Sequence, residues 1–150
     1  MKAILRTLTI LLAGASLTMA GGDAWLTDFD KAKEQAKKDD KAILIDFTGS
    51  DWCGWCIKLD QEVFSKQEFL DYAGKKFVLV EIDFPRKEKL SDEQKKQNEA
   101  LAKKFGVEGF PTIILTDAKG RKFATTGYQE GGPQAYIEHL DKLLERKGLD

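Results

Sequence analysis

Cysteine, histidine and proline are scarce in this 150-residue chain, which contains two cysteines, one histidine and three prolines. A structural zinc site uses four ligands, mostly cysteine and histidine, and Cys53, Cys56 and the distant His139 are too few for one. Covalent haem attachment requires a histidine directly after the second cysteine, and the residue there is Ile57. The sequence therefore predicts neither a metal site nor a cofactor, and His139 is expected to be a structural surface residue.

The chain also lacks a strong charge of one sign, because 24 basic residues are balanced by 25 acidic ones. A nucleic-acid-binding domain usually carries a basic excess, so no nucleic-acid partner is expected. With 42% hydrophobic and 33% charged residues, the composition fits one globular domain with an ordinary core. No second, dimerising domain is indicated, and a monomer is expected.

The amino-terminal segment has the pattern of an export signal. Two basic residues precede an apolar run from Leu8 to Leu12, and small residues follow up to Ala20. This order is typical of a secretory signal peptide. We expect residues 1–20 to be a signal peptide cleaved after Ala20, and residues 21–150 to form a periplasmic or otherwise exported domain. A retained membrane anchor is the alternative, although the apolar run is shorter than the ~20 residues that span a bilayer.

The two cysteines lie three positions apart in the stretch Trp52-Cys53-Gly54-Trp55-Cys56. Disulfides persist outside the cytoplasm, so this pair could be a structural cross-link. However, closing so short a loop removes little entropy from the unfolded chain, and such a disulfide is readily reduced. The spacing therefore favours a redox pair. A helix is expected to start at or near Cys53, where free backbone N–H groups would stabilise a thiolate.

Apolar runs and turn signals predict the order helix, strand, helix, strand, helix, hairpin, helix, which is an α/β fold. Two buried strands, Ala42–Phe47 and Phe77–Asp83, are separated by a helical region, which indicates a parallel pair joined by a crossover. The turn signal Asp117-Ala118-Lys119-Gly120 lies between the strands of a predicted hairpin, Thr112–Thr116 and Lys122–Thr126.

Two capping boxes predict the starts of two helices. Ser65 with Glu68 would begin a short helix that ends at Gly74, and Ser91 with Gln94 would begin a longer one. At the other end of the chain, Trp25 and Leu26 form either a short edge strand or a cover over the core.

Three segments in this order resemble the thioredoxin superfamily: the strand Ile43–Phe47, the motif Asp51–Cys56, and the stretch Phe105–Thr112 before the hairpin. The resemblance extends from about Ala42 to Leu144. The stretch Glu62-Val63-Phe64-Ser65 is also similar to exported bacterial thioredoxin-like proteins and to the periplasmic carboxy-terminal domain of DsbD. The resemblance implies a thioredoxin fold, with a central mixed sheet of four to five strands flanked by helices on both faces.

The resemblance also implies roles for three residues. Cys53 would be the exposed nucleophile that forms a mixed disulfide with the substrate, and Cys56 would be the buried resolving thiol that releases the product. Asp46 interrupts an apolar strand, where burying a carboxylate is costly. It matches the family's buried acid, which accepts the proton of the resolving thiol. The alternative is a strand-end carboxylate bonded to the backbone.

Candidates for substrate contact surround the cysteines. In this family the Phe110-Pro111 peptide is expected to be cis and to place the backbone for β-like pairing with a substrate, whereas from sequence alone Pro111 could simply begin an edge strand. The full set of substrate-contact candidates is Trp52, Gly54, Trp55, Phe110 and Pro111. Trp52 could instead belong mostly to the core.

Two further acids are candidates for tuning pKa values at the site. Asp60 lies four residues after Cys56 on the same helical face, and it either tunes the thiols or is solvated. Glu81 occupies a position where common thioredoxins carry a lysine. If Glu81 faces Asp46, their repulsion raises a carboxyl pKa.

The predicted function is thiol-disulfide exchange with disulfide-containing or thiol-containing exported proteins, as a periplasmic oxidoreductase. The dipeptide Gly54-Trp55 provides no histidine to stabilise the Cys53 thiolate, which favours reduction over oxidation. Two alternatives stay open. One is an electron relay supplied by a membrane donor, and the other is a non-enzymatic thioredoxin-fold binding or chaperone module.

Overall fold

The structure is a computed structural model that describes residues 24–148. The predicted signal peptide, residues 1–20, and its cleavage site lie outside the described residues. Between residues 24 and 148, none of the helices combines the length and apolar character needed to cross a membrane.

The described chain contains five strands and five α-helices, and the second helix continues as a π-helical turn. The strands are β1 (Trp25–Leu26), β2 (Ala42–Thr48), β3 (Phe77–Asp83), β4 (Thr112–Thr116) and β5 (Lys122–Thr126). The helices are α1 (Phe29–Asp39), α2 (Gly54–Leu59) with its π-helical turn (Asp60–Phe64), α3 (Gln67–Lys76), α4 (Asp92–Phe105) and α5 (Gly132–Lys147). The predicted order of helices and strands is confirmed.

The strands form one mixed sheet in the order β1-β3-β2-β4-β5. β1 and β2 run parallel to β3, whereas β4 is antiparallel to both β2 and β5. The predicted parallel pair and hairpin are therefore both present. Trp25 and Leu26 form a short edge strand, which decides between the two alternatives for that segment.

Helices cover both faces of the sheet. Successive residues of the central strands point to opposite faces, so apolar side chains on each face pack against a layer of helices. Ile43, Ile45 and Phe47 of β2 pack with residues of α1 and α4. Leu44 of the same strand packs with residues of α2, its π-helical turn, α3 and α5. Asp46 lies on this second face, so the strand that builds the core also carries an acid toward α2.

Side chains cap the amino-terminal ends of α1 and α4, and the cap at α4 is the predicted one. Asp28 Oδ1 accepts hydrogen bonds from the N–H groups of Asp30 and Lys31, each at 3.0 Å. Ser91 Oγ accepts from the N–H of Gln94 at 3.2 Å. These side chains satisfy N–H groups that have no partner within the helix.

The prediction that Ser65 caps α3 is wrong. Ser65 instead closes the π-helical turn, because its N–H and its hydroxyl both donate to the carbonyl oxygen of Asp60, at 2.9 and 2.8 Å. Lys66 occupies the N-cap position and provides no side-chain hydrogen bond. The predicted stop at Gly74 also fails, since α3 continues to Lys76 and passes directly into β3.

Candidate active site

Cys53 lies at the N-cap of α2, just after the loop that leaves β2. Its N–H donates to the carbonyl oxygen of Gly49 at 2.8 Å. Gly49 is required sterically, because a Cβ there would lie 2.5 Å from Cε2 of the Trp52 indole. By contrast, a Cβ at Gly54 would meet no heavy atom within 4 Å, so the space beside the first residue of α2 is open.

The two sulfurs are joined in a disulfide, with the Cα atoms 5.2 Å apart. The N–H of Cys56 also donates to Cys53 Sγ at 3.3 Å. Cys53 is 7% exposed and Cys56 is 4% exposed. The resemblance implies that the nucleophile Cys53 is exposed, but in this oxidised form it is largely buried.

Trp52 forms one wall of the site and joins three segments of the chain. Its indole N–H donates to the carbonyl oxygen of Phe84 at 2.8 Å, and its ring lies edge-on to Phe110 with centroids 6.0 Å apart. The Arg86 guanidinium lies 3.7 Å from the centroid of the Trp52 ring. The Phe110-Pro111 peptide bond is cis. Trp52 is half-buried, so it packs against these residues while part of its surface stays accessible.

Trp55 is exposed over 58% of its surface. Together with Lys58, Glu62 and Tyr128 it forms a patch that we call the Trp55 surface. The Trp55 and Tyr128 ring centroids are 5.2 Å apart, and Lys58 Nζ lies 5.1 and 5.0 Å from them. The Tyr128 hydroxyl donates to Glu62 Oε2 at 2.6 Å. The sequence did not identify Lys58, Glu62 or Tyr128 as site residues, although the spacing of positions 55, 58 and 62 places Trp55, Lys58 and Glu62 on one helical face.

Cys56 lines a cavity of about 490 Å³ together with three carboxyl side chains. The carboxyls are those of Asp46, Asp60 and Glu81, all three of which the sequence singles out. The other lining residues are Trp25, Thr27, Thr48, Ser50, Ile57, Phe64, Ser65 and Leu70. Asp60 is exposed while it lines the cavity, so it lies where the cavity meets solvent.

Asp46 is the most buried of these acids, with 8% of its surface exposed. Its Oδ1 is fully buried and has no hydrogen-bond partner within residues 24–148. This finding disfavours the alternative of a carboxylate bonded to the backbone. Burial raises the pKa of Asp46 well above its ordinary value, and the negative charges of Glu81, Asp60 and Asp83 raise it further.

Glu81 faces Asp46, because the two residues pair directly across the parallel strands β2 and β3. Burial is the main cause of a raised Glu81 pKa, and the charges of Asp83 and Asp60 add to it. Burial also raises the pKa of Asp60. The cavity therefore disfavours three adjacent negative charges.

His139 lies outside this arrangement. Its Nε2 is 2.8 Å from Oγ1 of Thr126 on β5, and its ring lies edge-on to Tyr136. Burial lowers the His139 pKa, and the charges of Lys142 and Arg146 lower it further. These contacts fit the structural role expected for His139. Across the described residues, no group of three or more His, Cys, Asp or Glu side chains is arranged to hold a metal ion.

Comparison with known proteins places this arrangement in a family. A family model for the thioredoxin-like domain matches residues 29–144. The chain belongs to the thioredoxin-like family. It is 38% identical over 117 residues to the disulfide bond reductase DsbH of Chlamydia pneumoniae, a match that covers 78% of this chain and 70% of that protein.

Two further relatives support the assignment. A solved structure of a DsbH oxidoreductase matches with a TM-score of 0.75 at 35% identity, over 89% of this chain and 95% of that one. The thiol:disulfide interchange protein DsbD of Cronobacter sakazakii is 32% identical over 127 residues, which are 81% of this chain but 19% of DsbD. The predicted thioredoxin fold and DsbD-like resemblance are confirmed. With its Cys53–Cys56 pair in this fold, the chain is a thiol-disulfide oxidoreductase, as predicted.

Proposed function

We propose that this protein reduces disulfides in exported proteins, with Cys53 as the attacking thiolate and Cys56 as the resolving thiol. The observation that carries the proposal is the different setting of the two sulfurs. Cys53 caps the start of α2, whereas Cys56 lines the carboxyl cavity. The first setting stabilises a thiolate, and the second provides a base for a buried thiol.

In the first step, the Cys53 thiolate attacks one sulfur of a substrate disulfide. A bond forms between Cys53 Sγ and that sulfur, the substrate S–S bond breaks, and the second substrate sulfur leaves as a thiolate that takes a proton from water. Free N–H groups at the start of α2 favour the thiolate form of Cys53. The product of this step is a mixed disulfide.

In the second step, Asp46 takes the proton of the Cys56 thiol across the cavity. The resulting thiolate attacks Cys53 Sγ, forms the Cys53–Cys56 disulfide and expels the remaining substrate sulfur. Two electrons pass from the dithiol to the substrate in total. A raised pKa makes Asp46 a stronger base than an ordinary carboxylate, because a base works best when its pKa approaches that of the group it deprotonates.

Five residues around Cys53 provide the contact surface for the substrate in this proposal. The exposed Trp55 ring and the open space beside Gly54 leave room for a polypeptide over the disulfide. Trp52 and Phe110 form an aromatic wall, and Pro111 directly precedes β4, where a substrate strand would pair with backbone.

Two observations favour reduction over oxidation. The relative with 38% identity is named a disulfide bond reductase. In addition, Gly54-Trp55 provides no histidine between the cysteines, so the thiolate lacks one source of stabilisation that would make the disulfide strongly oxidising.

Export and electron supply complete the proposal. Residues 1–20 would direct the chain to the periplasm and be removed after Ala20, leaving the domain 21–150. Similarity to DsbD supports a membrane thiol transporter as the donor that reduces the Cys53–Cys56 disulfide again. The mass of the protein recovered from the periplasm tests the cleavage site, because retained residues 1–20 would appear directly as extra mass.

Insulin reduction tests the activity itself. Cys53→Ser removes the nucleophile and is expected to lower the rate to the background of the thiol donor alone. Cys56→Ser leaves the nucleophile but no resolving thiol, so it is expected to accumulate mixed disulfides with its substrates and donor. Full insulin reduction by Cys53→Ser would show that the cysteines are incidental and would favour the binding or chaperone alternative. Mixed disulfides with the membrane donor and with exported acceptor proteins, together with little insulin reduction by the native protein, would favour the relay alternative.

A further inference from the structure

The carboxyl cavity contains three acids and no cation among its lining residues. The charged or titratable groups around Asp46 come from four neighbouring segments. They are Glu81 and Asp83 of β3, Asp60 of the π-helical turn, Cys56 of α2 and Tyr136 of α5. The Tyr136 hydroxyl donates to the carbonyl oxygen of Gly127 at 3.1 Å. A buried carboxylate without a cation or hydrogen-bond donor is strongly disfavoured, so this cavity favours retention of a proton.

Glu81 is the neighbour that the fold holds most firmly beside Asp46. The two residues are register partners on adjacent central strands, flanked by the partner pairs Ile45–Val80 and Phe47–Ile82. Partners in a parallel pair project to the same face of the sheet. Asp60, in contrast, is exposed at the mouth of the cavity, where solvent weakens its interaction.

We propose that Glu81 is a positioning residue for the resolving step, and that its negative charge sets the pH at which Asp46 becomes free to accept the proton of Cys56. The inference rests on the proposed function, because it concerns the second step of that reaction. Glu81 itself touches neither substrate nor sulfur in this role. It acts through the proton affinity of Asp46.

The chemistry of the step is balanced within the cavity. Asp46 carboxylate takes the proton of Cys56, the Cys56 thiolate forms the S–S bond with Cys53, and the substrate sulfur leaves with the electron pair of the broken mixed disulfide. Asp46 then returns its proton to water. Exposed Ser50 and Ser65 line the cavity and give solvent access for that return.

The direction of the pH effect follows from the sign of the charge. A like charge beside Asp46 favours its protonated form and raises its pKa. Replacing Glu81 with glutamine removes that charge and lets Asp46 ionise at lower pH. The variant should then resolve faster than the native protein in the acidic range. At pH values above the midpoint of native Asp46 ionisation, the variant should resolve mixed disulfides more slowly than the native protein, because a lower pKa makes Asp46 a weaker base.

Stopped-flow oxidation of the reduced mature protein by an aromatic disulfide whose released thiolate absorbs visible light measures this directly. Attack by Cys53 releases the first thiolate, and attack by Cys56 releases the second. We expect Glu81→Gln to move the pH midpoint of the second phase downward, with a rate about fivefold higher than native below the native midpoint. The profile of the first phase should move much less.

Two control variants make the result specific. Glu81→Asp keeps the charge and should restore most of the native profile. Asp92→Asn removes an exposed carboxylate from α4, on the opposite face of the sheet, and should leave both phases unchanged. A Glu81→Gln profile that keeps the native midpoint would overturn the proposal while leaving the oxidoreductase activity intact. Loss of the reductase function would appear instead as absent insulin reduction by the native protein.

A second measurement needs no substitution. Carbon NMR of reduced native protein labelled at its aspartate and glutamate carboxyls follows each ionisation. The proposal predicts coupled titration, in which the Asp46 and Glu81 signals each respond to both ionisations. Two independent single-step curves would contradict it, even if Glu81→Gln fails to fold.

Discussion

The two faces of the central sheet differ in what they bury. On the face covered by α1 and α4, side chains such as Ile45 and Phe47 are fully buried in an apolar core. On the opposite face, Asp46 lies between them in sequence and borders a cavity of about 490 Å³. The strand β2 therefore buries apolar side chains on both faces of the sheet, and on the second face it adds Asp46, the proton acceptor of the proposed mechanism.

This difference indicates that the site is built at some cost to stability. A close-packed apolar core gains free energy from every side chain that it removes from water. A buried carboxyl without a hydrogen-bond partner opposes folding whenever it is ionised. Neighbouring substitutions on β2 should consequently have effects of opposite sign, and they offer a direct way to test the comparison.

Phe47→Ala should produce the largest effect. Phe47 has no exposed surface and its ring lies edge-on to Phe105, with centroids 6.2 Å apart. Removing a buried phenylalanine leaves a cavity and costs about 3–5 kcal/mol. Urea denaturation of the oxidised protein measures this loss, and insulin reduction should stay near native where the variant is folded. A loss below about 1 kcal/mol would mean that Phe47 is not closely packed in this core.

Asp46→Asn should act in the opposite direction. The substitution keeps the shape of the side chain and removes a group that must bind a proton on folding or else bury its charge, so the free energy of unfolding at neutral pH should rise by about 2 kcal/mol. The same variant should resolve mixed disulfides about tenfold more slowly, because it has no carboxylate to accept the Cys56 proton. Unchanged stability would contradict the assigned cost of burying Asp46.

The stability difference between Asp46→Asn and native protein should depend on pH. The pKa of Asp46 is raised on folding, so the folded state holds more protons than the unfolded state above about pH 4, the ordinary aspartate range. The contribution of Asp46 to the native free energy of unfolding then falls as pH rises toward the folded pKa. Urea titrations over a pH series should show the advantage of the variant grow through this window and vanish below it. A pH-independent difference would point to packing instead of charge.

Trp55→Ala should have the smallest effect on stability. Trp55 is 58% exposed, so the free energy of unfolding should change by less than about 0.5 kcal/mol. Insulin reduction should nevertheless slow by about threefold, since an exposed aromatic ring beside Cys53 provides contact area for the substrate. Lys66→Ala, at another exposed position, serves as the control. Equal rates for both variants would remove Trp55 from the substrate surface.

Most of the fold could be predicted because its signals are local. The apolar run that includes Ile43–Phe47 and the turn at Asp117–Gly120 identify strands without knowledge of their partners. Asp46 could be identified for the same reason, since a single acid interrupts an otherwise apolar strand. Identifying Glu81 as a candidate also required the resemblance, because its role depends on which strand lies beside β3.

The remaining features depend on contacts that no short window contains. The N–H and the hydroxyl of Ser65 both donate to the carbonyl oxygen of Asp60 in the π-helical turn after α2, so the hydroxyl does not cap α3. A capping-box pattern in the sequence does not contain this information. Tyr128 reaches Glu62 from 66 positions away in the chain, so no local spacing connects them. Residues of β1, β2, β3, α2, its π-helical turn and α3 line the cavity together. For this reason Asp60 could be either solvated or part of the site until the fold was known.

The central claim is that the Cys53–Cys56 couple is a reductant, and its reduction potential tests that claim most directly. Equilibration of the protein with thiol buffers of known potential, followed by alkylation and mass measurement, gives the value. We predict a potential near that of thioredoxin, about −270 mV. A potential near that of a strong oxidant such as DsbA, about −120 mV, would contradict the account.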